Sequence, residues 1–467
     1  MVFSSLTFIY FFLPVVMITY MVASKKLKNL ILLVAGLIFY AWGEPVYIWV
    51  MLVSSFVDFY AGIYIGRSKK QSSKRVALII SMVVDLGFLF VFKYTGFIVG
   101  VINSCFKTNI EPPDLPLPIG ISFYTFQSMS YTIDVYLGKV KVQKNFLNYL
   151  TYVSLFPQLV AGPIVRYEDV ANEIEDRKVN VDNFGEGIGY FIKGLSKKVL
   201  LANNIGLLWT QIKAMDYSEI SVLTAWLGIL AFTFQIYFDF SGYSDMAIGL
   251  GKMFGFNFPI NFDHPYQSKS ISEFWRRWHI TLGSWFRIYL YIPLGGNRNG
   301  KFKTYRNLAI VWLLTGLWHG ASFNFIVWGA FYGILIIIER LGFGDILKKL
   351  PLPVSTAYTF LMVVIGWVFF DTDNMSKAFS YLKAMFGGGK LFDSFAVYQL
   401  SSYLVIFIMC IFASTDLWRK FTARLSEIKN MKNAYYYVTS AVQIVLLLLC
   451  TCYIVDGSYN PFLYFRF

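Results

Sequence analysis

The sequence predicts an all-α protein that crosses a membrane many times, and three observations carry that prediction. Of the 467 residues, 57% are hydrophobic and only 15% charged, where soluble domains carry about 25% charged residues. Aromatic residues reach 19%, and so much apolar surface has no covering of polar side chains in water. Apolar runs also recur along the whole chain with short polar loops between them. Lipid is the solvent that fits.

Taken in order, the first run (roughly 5–22) has no basic segment before it and no small-residue cleavage pattern after it, so it reads as a retained span and not a signal peptide. Lys25, Lys26 and Lys28 follow it, and the positive-inside tendency then places the N-terminus outside the cytoplasm. Further runs lie near 29–42, 46–66, 76–102, 117–137, 146–162, 187–209 and 221–250, then 283–294, 307–318, 321–340, 353–370, 396–415 and 435–455. Those at 283–294 and 307–318 are too short to cross a core of ~30 Å at ~1.5 Å per residue. The run at 117 opens on a proline-laden stretch from Pro112 to Pro118. Interrupted backbone at membrane depth survives only inside protein or along a wet cavity. The expectation is about eleven full spans plus re-entrant or half-length helices. With no linker and no internal repeat, they form a single domain over 1–467.

The net charge of +14 resides in short clusters between apolar runs: Lys25 to Lys28, Arg67 to Arg75, and Lys197-Lys198. That pattern suits basic cytoplasmic loops in contact with anionic lipid, and not a nucleic-acid partner. Cys105, Cys410, Cys450 and Cys452 show no CxxC spacing, so they read as packing residues without a disulfide framework or metal site. Asp58, Asp85, Asp134, Asp239, Asp245 and Glu339 have strongly apolar neighbours. Facing lipid would be costly, so each is expected to face the interior with a partner, as a structural bridge or as a functional group.

The densest polar-aromatic stretch runs from Phe238 to Asp245, through Asn261-Phe262-Asp263-His264-Pro265-Tyr266, to Ser270–Ile280. Ser270 and Glu273 have capping-box spacing, so a helix starts there, and Pro293 with Gly295-Gly296 stops it. Along one such helix Trp275, His279, Leu282 and Phe286 share a face, while Arg276 and Arg287 point elsewhere, towards a phosphate or water. After a basic loop (Arg298, Lys301, Lys303, Arg306) comes Gly316-Leu317-Trp318-His319-Gly320-Ala321-Ser322-Phe323-Asn324. All three histidines of the chain fall in this region. His319 sits in an apolar run, where a charged imidazole is disfavoured. A neutral imidazole suits a general base, and it equally suits a hydrogen-bonded packing residue. Gly316 and Gly320 would leave room for a substrate chain beside the ring. No ligand spacing for a metal surrounds it, and His264 reads as structural.

Several stretches resemble one family. EFWRRWHITL (273–282), YIPLGGNR (291–298) and GLWHGASFNFIVWG (316–329) look like core signatures of the membrane-bound O-acyltransferases (MBOAT), in the bacterial AlgI-like branch of alginate O-acetyltransferases. The D-alanyl transferases are more distant cousins. FSSLTFIYFFLPV (3–15), LPIGISFYTFQSMSYTIDVY (117–136), LFPQLVAGPIVRYED (155–169), YFDFSGYSDMAIGLGKMFGFNFPINFDHPYQS (237–268) and the end PFLYFRF (461–467) fit the same branch. Ile288 stands where the family usually has Asp.

The resemblance implies an MBOAT fold, a ring of helices around a thinned central chamber with cytoplasmic and extracellular funnels, its catalytic core at about 230–345. It makes His319 the catalytic histidine and His279 the second motif histidine. Trp318, Gly316, Gly320, Ser322, Asn324, Trp275 and Asp239 would line the substrate path, with Ser322 or Asn324 as helpers in orienting the reactants or stabilising the oxyanion. Arg276, Arg277, Arg287 and Arg298 would hold coenzyme A phosphates, although ordinary positive-inside topology explains those charges equally well. No cofactor would be permanently bound. Acetyl-CoA, or another acyl thioester, would be the co-substrate. An extracytoplasmic SGNH-type acetyltransferase would be the partner, a polysaccharide the final acceptor, and the bacterial inner membrane the location. A different thioester donor (D-alanyl or longer acyl), an acyl or lipid-sugar transporter gated by the histidine, and a membrane scaffold are the rival readings.

Overall fold

Long apolar runs become helices because lipid leaves the backbone no hydrogen-bond partner except itself. A computed structural model describes residues 1–160, 162–387, 389–427, 432–457 and 462–463. Among these, seven helices are long and apolar enough to cross a membrane, and Phe8–Val22 and Lys28–Gly43 are shorter apolar helices. The one β feature among the described residues is an isolated bridge between Phe262 and Trp278. The protein is thus an all-helical, multi-pass membrane protein. Of the PFLYFRF end, only Phe462 and Leu463 lie within the described residues.

The chain packs as two compact units. One holds Met1–Phe191 with Ser244–Pro259, and the other holds Ile192–Tyr243 with Ile260–Leu463. In the first unit, helices α1 (Ile48–Arg67), α2 (Gln71–Phe106) and α3 (Ile121–Tyr136) pack side by side, and α4 (Phe146–Ser154) adds to them. The proline run before α3 ends in Gly120 at φ +76°, a left-handed turn that favours glycine. Nearly all of α3 is buried, including Ser122, Thr125, Ser128, Ser130 and Thr132. Asp58 on α1, Asp85 on α2 and Asp134 on α3 are buried too, as their apolar neighbours led one to expect.

The second unit contains α6 (Ile271–Arg277), α7 (Ile280–Phe286), α8 (Lys301–His319), α9 (Phe323–Ile338) and α10 (Leu352–Asp371). Helix α5 (Val222–Met253) contributes residues to both units. Lys198 departs from the sequence reading. It is no loop charge but is buried, forming an ion pair with Asp239 on α5. Asp239 Oδ2 also accepts the Leu463 backbone N–H at 2.8 Å. A lysine adjoining an apolar run was free to turn inwards because a buried carboxylate needed its charge.

Helices α8 and α9 cross closely. A Cβ on Gly316 would run into the Phe325 carbonyl, one on Gly329 into the Trp312 carbonyl, and one on Gly320 into the Phe325 ring. This corrects the expectation that Gly316 and Gly320 make room beside His319: α9 occupies that space, and the glycines serve helix contact. Replacing Gly316 with alanine is expected to destabilise the protein by about 1–3 kcal/mol through overpacking. A lowered melting midpoint of the solubilised protein checks this, and an unchanged midpoint would contradict the packing account.

Candidate active site

The helix expected from Ser270 to Pro293 is broken in two. Ser270 caps α6 as foreseen, its Oγ accepting the Glu273 N–H at 3.1 Å. The Glu273 carboxylate reaches the Lys269 N–H at 3.0 Å instead of closing the box on Ser270. Glu339 completes the cap, accepting Ile271 N–H at 2.6 Å and Ser272 N–H at 3.0 Å. It thus supplies the anion that the positive end of a helix favours. After Arg277 the backbone leaves the helix. Trp278 bridges to Phe262, and the Ile280 N–H goes to the Asn261 carbonyl at 3.0 Å. His279 adopts left-handed φ +45°, ψ 54°, rare for a residue with a Cβ and found where surrounding bonds hold it.

Those bonds come from Asn261. Its Oδ1 accepts Thr281 N–H at 3.2 Å and Thr281 Oγ at 3.0 Å, and lies 3.1 Å from His279 Nδ1. The Thr281 backbone donor identifies that amide atom as the oxygen, so His279 Nδ1 carries the hydrogen it donates. In a neutral ring Nε2 is then the lone-pair atom. Phe240 packs edge-on against His279 at 4.7 Å.

A cavity of about 360 Å³ opens beside this break, within the ~300–1,000 Å³ range of ligand pockets. Trp275, Arg276, His279, Leu282, Phe286 and Arg287 all line it. The break and the π-helical turn at Arg287–Tyr291 bring together side chains that an unbroken helix would have spread, so Arg276 and Arg287 do not point away from His279. Arg340 joins them from a second π-helical turn, Glu339–Phe343, that continues α9. Arg340 was missed by sequence reasoning, although a Glu-Arg pair closing an apolar run was its signal. Trp312, Thr315 and Tyr291 also line the cavity. Arg276, Arg287 and Arg340 pair with no carboxylate among the described residues. Arg277 is engaged elsewhere, 2.7 Å from Glu273 and 3.4 Å from the Asp263 carbonyl. Arg298 stands exposed in the loop before α8. Neither lines the cavity.

His319 ends α8 and is buried against aromatic rings: Trp328 at 4.8 Å, Trp318 at 5.0 Å and Phe370 at 5.4 Å between centroids. It does not line the cavity, but Thr315, one turn earlier on the same helix, does. Trp318 lies between the two histidines, 6.1 Å from the His279 ring. Ser322 holds the N-cap position of α9. The Asn324 amide donates to the Thr372 carbonyl at 2.6 Å, which makes it a tie between the ends of α9 and α10. Asp239 neighbours Phe240 but is itself bound to Lys198. His264, also left-handed at φ +47°, lies 3.2 Å from Asp263. Burial lowers its pKa, while Asp263 opposes that shift.

A family model described as the membrane-bound O-acyltransferase family matches residues 139–372. The chain is similar over its full length to a probable alginate O-acetylase AlgI of Pseudomonas putida, 39% identical and covering all of that protein. It is 32% identical to a peptidoglycan O-acetyltransferase of Helicobacter pylori, across all of this chain and 98% of the relative. A teichoic acid D-alanyltransferase of Streptococcus thermophilus is 30% identical over 47% of this chain and 56% of its own length. The helical membrane fold, the match at 139–372 and full-length similarity to acyl-transferring relatives agree: the chain belongs to the membrane-bound O-acyltransferase family and is a multi-pass membrane acyltransferase.

Proposed function

We propose that this acyltransferase moves an acetyl group from cytoplasmic acetyl-CoA to a hydroxyl on the extracytoplasmic side, for O-acetylation of an exopolysaccharide or cell-wall glycan. One observation carries the reading: a cavity lined by Arg276, Arg287 and Arg340 has His279 in its wall and reaches Thr315, one turn short of His319. Guanidiniums without carboxylate partners suit phosphate groups, and a buried imidazole suits proton transfer. The names of the alginate- and peptidoglycan-acetylating relatives support the acetyl group and the glycan acceptor.

In this mechanism the acceptor oxygen attacks the thioester carbonyl carbon while His319 takes the hydroxyl proton. The tetrahedral adduct collapses, the C–S bond breaks, and the sulfur leaves as a thiol with the proton held by His319. His279, whose Nδ1–H is donated to Asn261, presents an acceptor at Nε2. A lone-pair atom there offers no donor for an oxyanion, and the proton of the attacking hydroxyl goes to His319, so His279 serves as a polar wall of the cavity. Trp275 is a wall of the cavity, and Trp318 packs against both histidine rings. Ser322 and Asn324 set the start of α9. The phosphate-binding role falls to Arg276, Arg287 and Arg340. The two units work as one transmembrane domain with its catalytic core at about 230–345. The N-terminus is extracytoplasmic, in a bacterial inner membrane, and the acceptor hydroxyl belongs to an SGNH-type partner or to the polysaccharide. The D-alanyltransferase relatives favour a second reading, with a D-alanyl or other acyl thioester as donor.

Purified protein given acetyl-CoA and a hydroxyl acceptor is expected to release one free thiol per ester formed. Arg287→Gln and Arg340→Gln are each expected to raise KM for acetyl-CoA about tenfold, from the loss of charge-assisted bonds. They should leave KM unchanged for an acetyl thioester that lacks phosphates. Movement of acyl groups without thiol release would overturn the reading in favour of a transporter.

A further inference from the structure

Four aspartates are buried among the described residues: Asp58, Asp85, Asp134 and Asp239. Two have a lysine, Asp134 with Lys139 at 3.5 Å and Asp239 with Lys198. Among the described residues neither Asp58 nor Asp85 has a cationic partner. They face each other across α1 and α2 within hydrogen-bonding reach. Ser81 Oγ donates to Asp58 Oδ1 at 2.6 Å, Ser54 Oγ donates to Asp85 Oδ1, and Ser128 Oγ donates to Asp85 Oδ2 at 3.3 Å. Thr132 Oγ1 lies 3.2 Å from Ser81 Oγ. All six side chains are sealed from solvent.

A second buried polar group lies near the same place. The Tyr149 hydroxyl on α4 is fully buried with no nitrogen or oxygen partner among the described residues, and it lies within electrostatic range of both Asp58 and Asp85. Tyr124 and Tyr131 of α3 are the other titratable groups nearby. Among the described residues the polar groups that meet the two carboxyls are all oxygens, and buried polar groups without a partner call for an explanation.

Two touching carboxylates cannot both stay ionised away from water, so a positive charge must accompany them. We propose that Asp58 and Asp85, with the hydroxyls of Ser54, Ser81 and Ser128, bind one small monovalent cation, a proton or a sodium ion. The contact between the carboxyls is what a shared proton produces. The all-oxygen shell is equally what a hard cation prefers. Calcium wants about six to eight oxygens and magnesium keeps several waters, which fits these few ligands less well. This site is independent of the acyl-transfer chemistry.

The test uses the full chain in lipid nanodiscs. In the proton arm, infrared spectra of wild type contain a protonated-carboxyl C=O band that is missing from Asp58→Asn/Asp85→Asn and unaffected by exchanging sodium for potassium. In the sodium arm, the melting midpoint at constant ionic strength rises with sodium and not with potassium or N-methylglucamine, and Asp85→Asn abolishes the rise. Should those variants fail to fold, Ser128→Ala assigns the site, by shifting the band or by weakening the sodium effect about tenfold, as loss of one ligating group predicts. Wild type with no protonated-carboxyl band and no sodium effect would overturn the proposal.

Discussion

Replacing His319 with alanine is expected to lower acyl transfer roughly 10²–10⁴-fold, the usual contribution of a general base. The ring is buried among Trp318, Trp328 and Phe370, so its removal also leaves a cavity. Alanine substitutions in packed interiors destabilise by a few kcal/mol, and part of any activity loss would then come from unfolding. His319→Gln, which keeps most of the volume and a polar end but lacks a base, separates the two effects. It should melt near wild type and remain about as inactive as the alanine variant. Thiol release from the acyl donor is the readout for chemistry and the melting midpoint the control. A folded His319→Gln protein with full activity would remove His319 from the mechanism and shift attention to His279, which lines the cavity directly.

Breaking the Lys198–Asp239 pair from one side is expected to destabilise the protein by about 3–5 kcal/mol, because it strands a buried charge. Lys198→Met leaves the Asp239 carboxylate a neutral donor, the Leu463 N–H, but no cation to balance it. The double variant Lys198→Met/Asp239→Leu removes both charges and should recover most of the loss, since well-packed apolar replacements of buried pairs are often neutral or better. Differential melting of the single and double variants measures this. Singles that melt like wild type would mean that the pair is solvated or replaceable. Activity should fall further than stability in the single variant. Phe240, next to Asp239 on α5, touches the His279 ring at 4.7 Å, so a shift of that segment moves a wall of the site.

Much of this was legible in the residue pattern. Apolar runs located the long helices, and ionisable residues among them located interior faces: Asp58, Asp85, Asp134, Asp239 and Glu339 are buried and Asp245 is half-buried. The Ser270 cap was readable because a cap depends on residues within one turn. The histidines stood out in the sequence because so few polar groups stand in such apolar surroundings; of the three, His279 lines the cavity. The break at Trp278-His279 was not readable. It depends on Asn261, 18 residues earlier, whose side chain takes hydrogen bonds that an uninterrupted helix would have kept to itself. Nor was the inward turn of Lys198, which rests on an aspartate 41 residues away (239 − 198 = 41).

Composition and local periodicity therefore settled the membrane class, the helical backbone and the chemical character of the residues, because each of these is decided by solvent and by neighbours within a turn or two. Which arginines meet around one cavity, whether a glycine opens space or closes it, and which charge answers a buried carboxylate were decided in three dimensions. Arg276, Arg287 and Arg340 converge because a helix break and two π-helical turns redirect them, and Gly316 closes space because α9 lies against it. Contacts between residues distant in sequence are fixed by packing and hydrogen-bond satisfaction, and no local pattern encodes them.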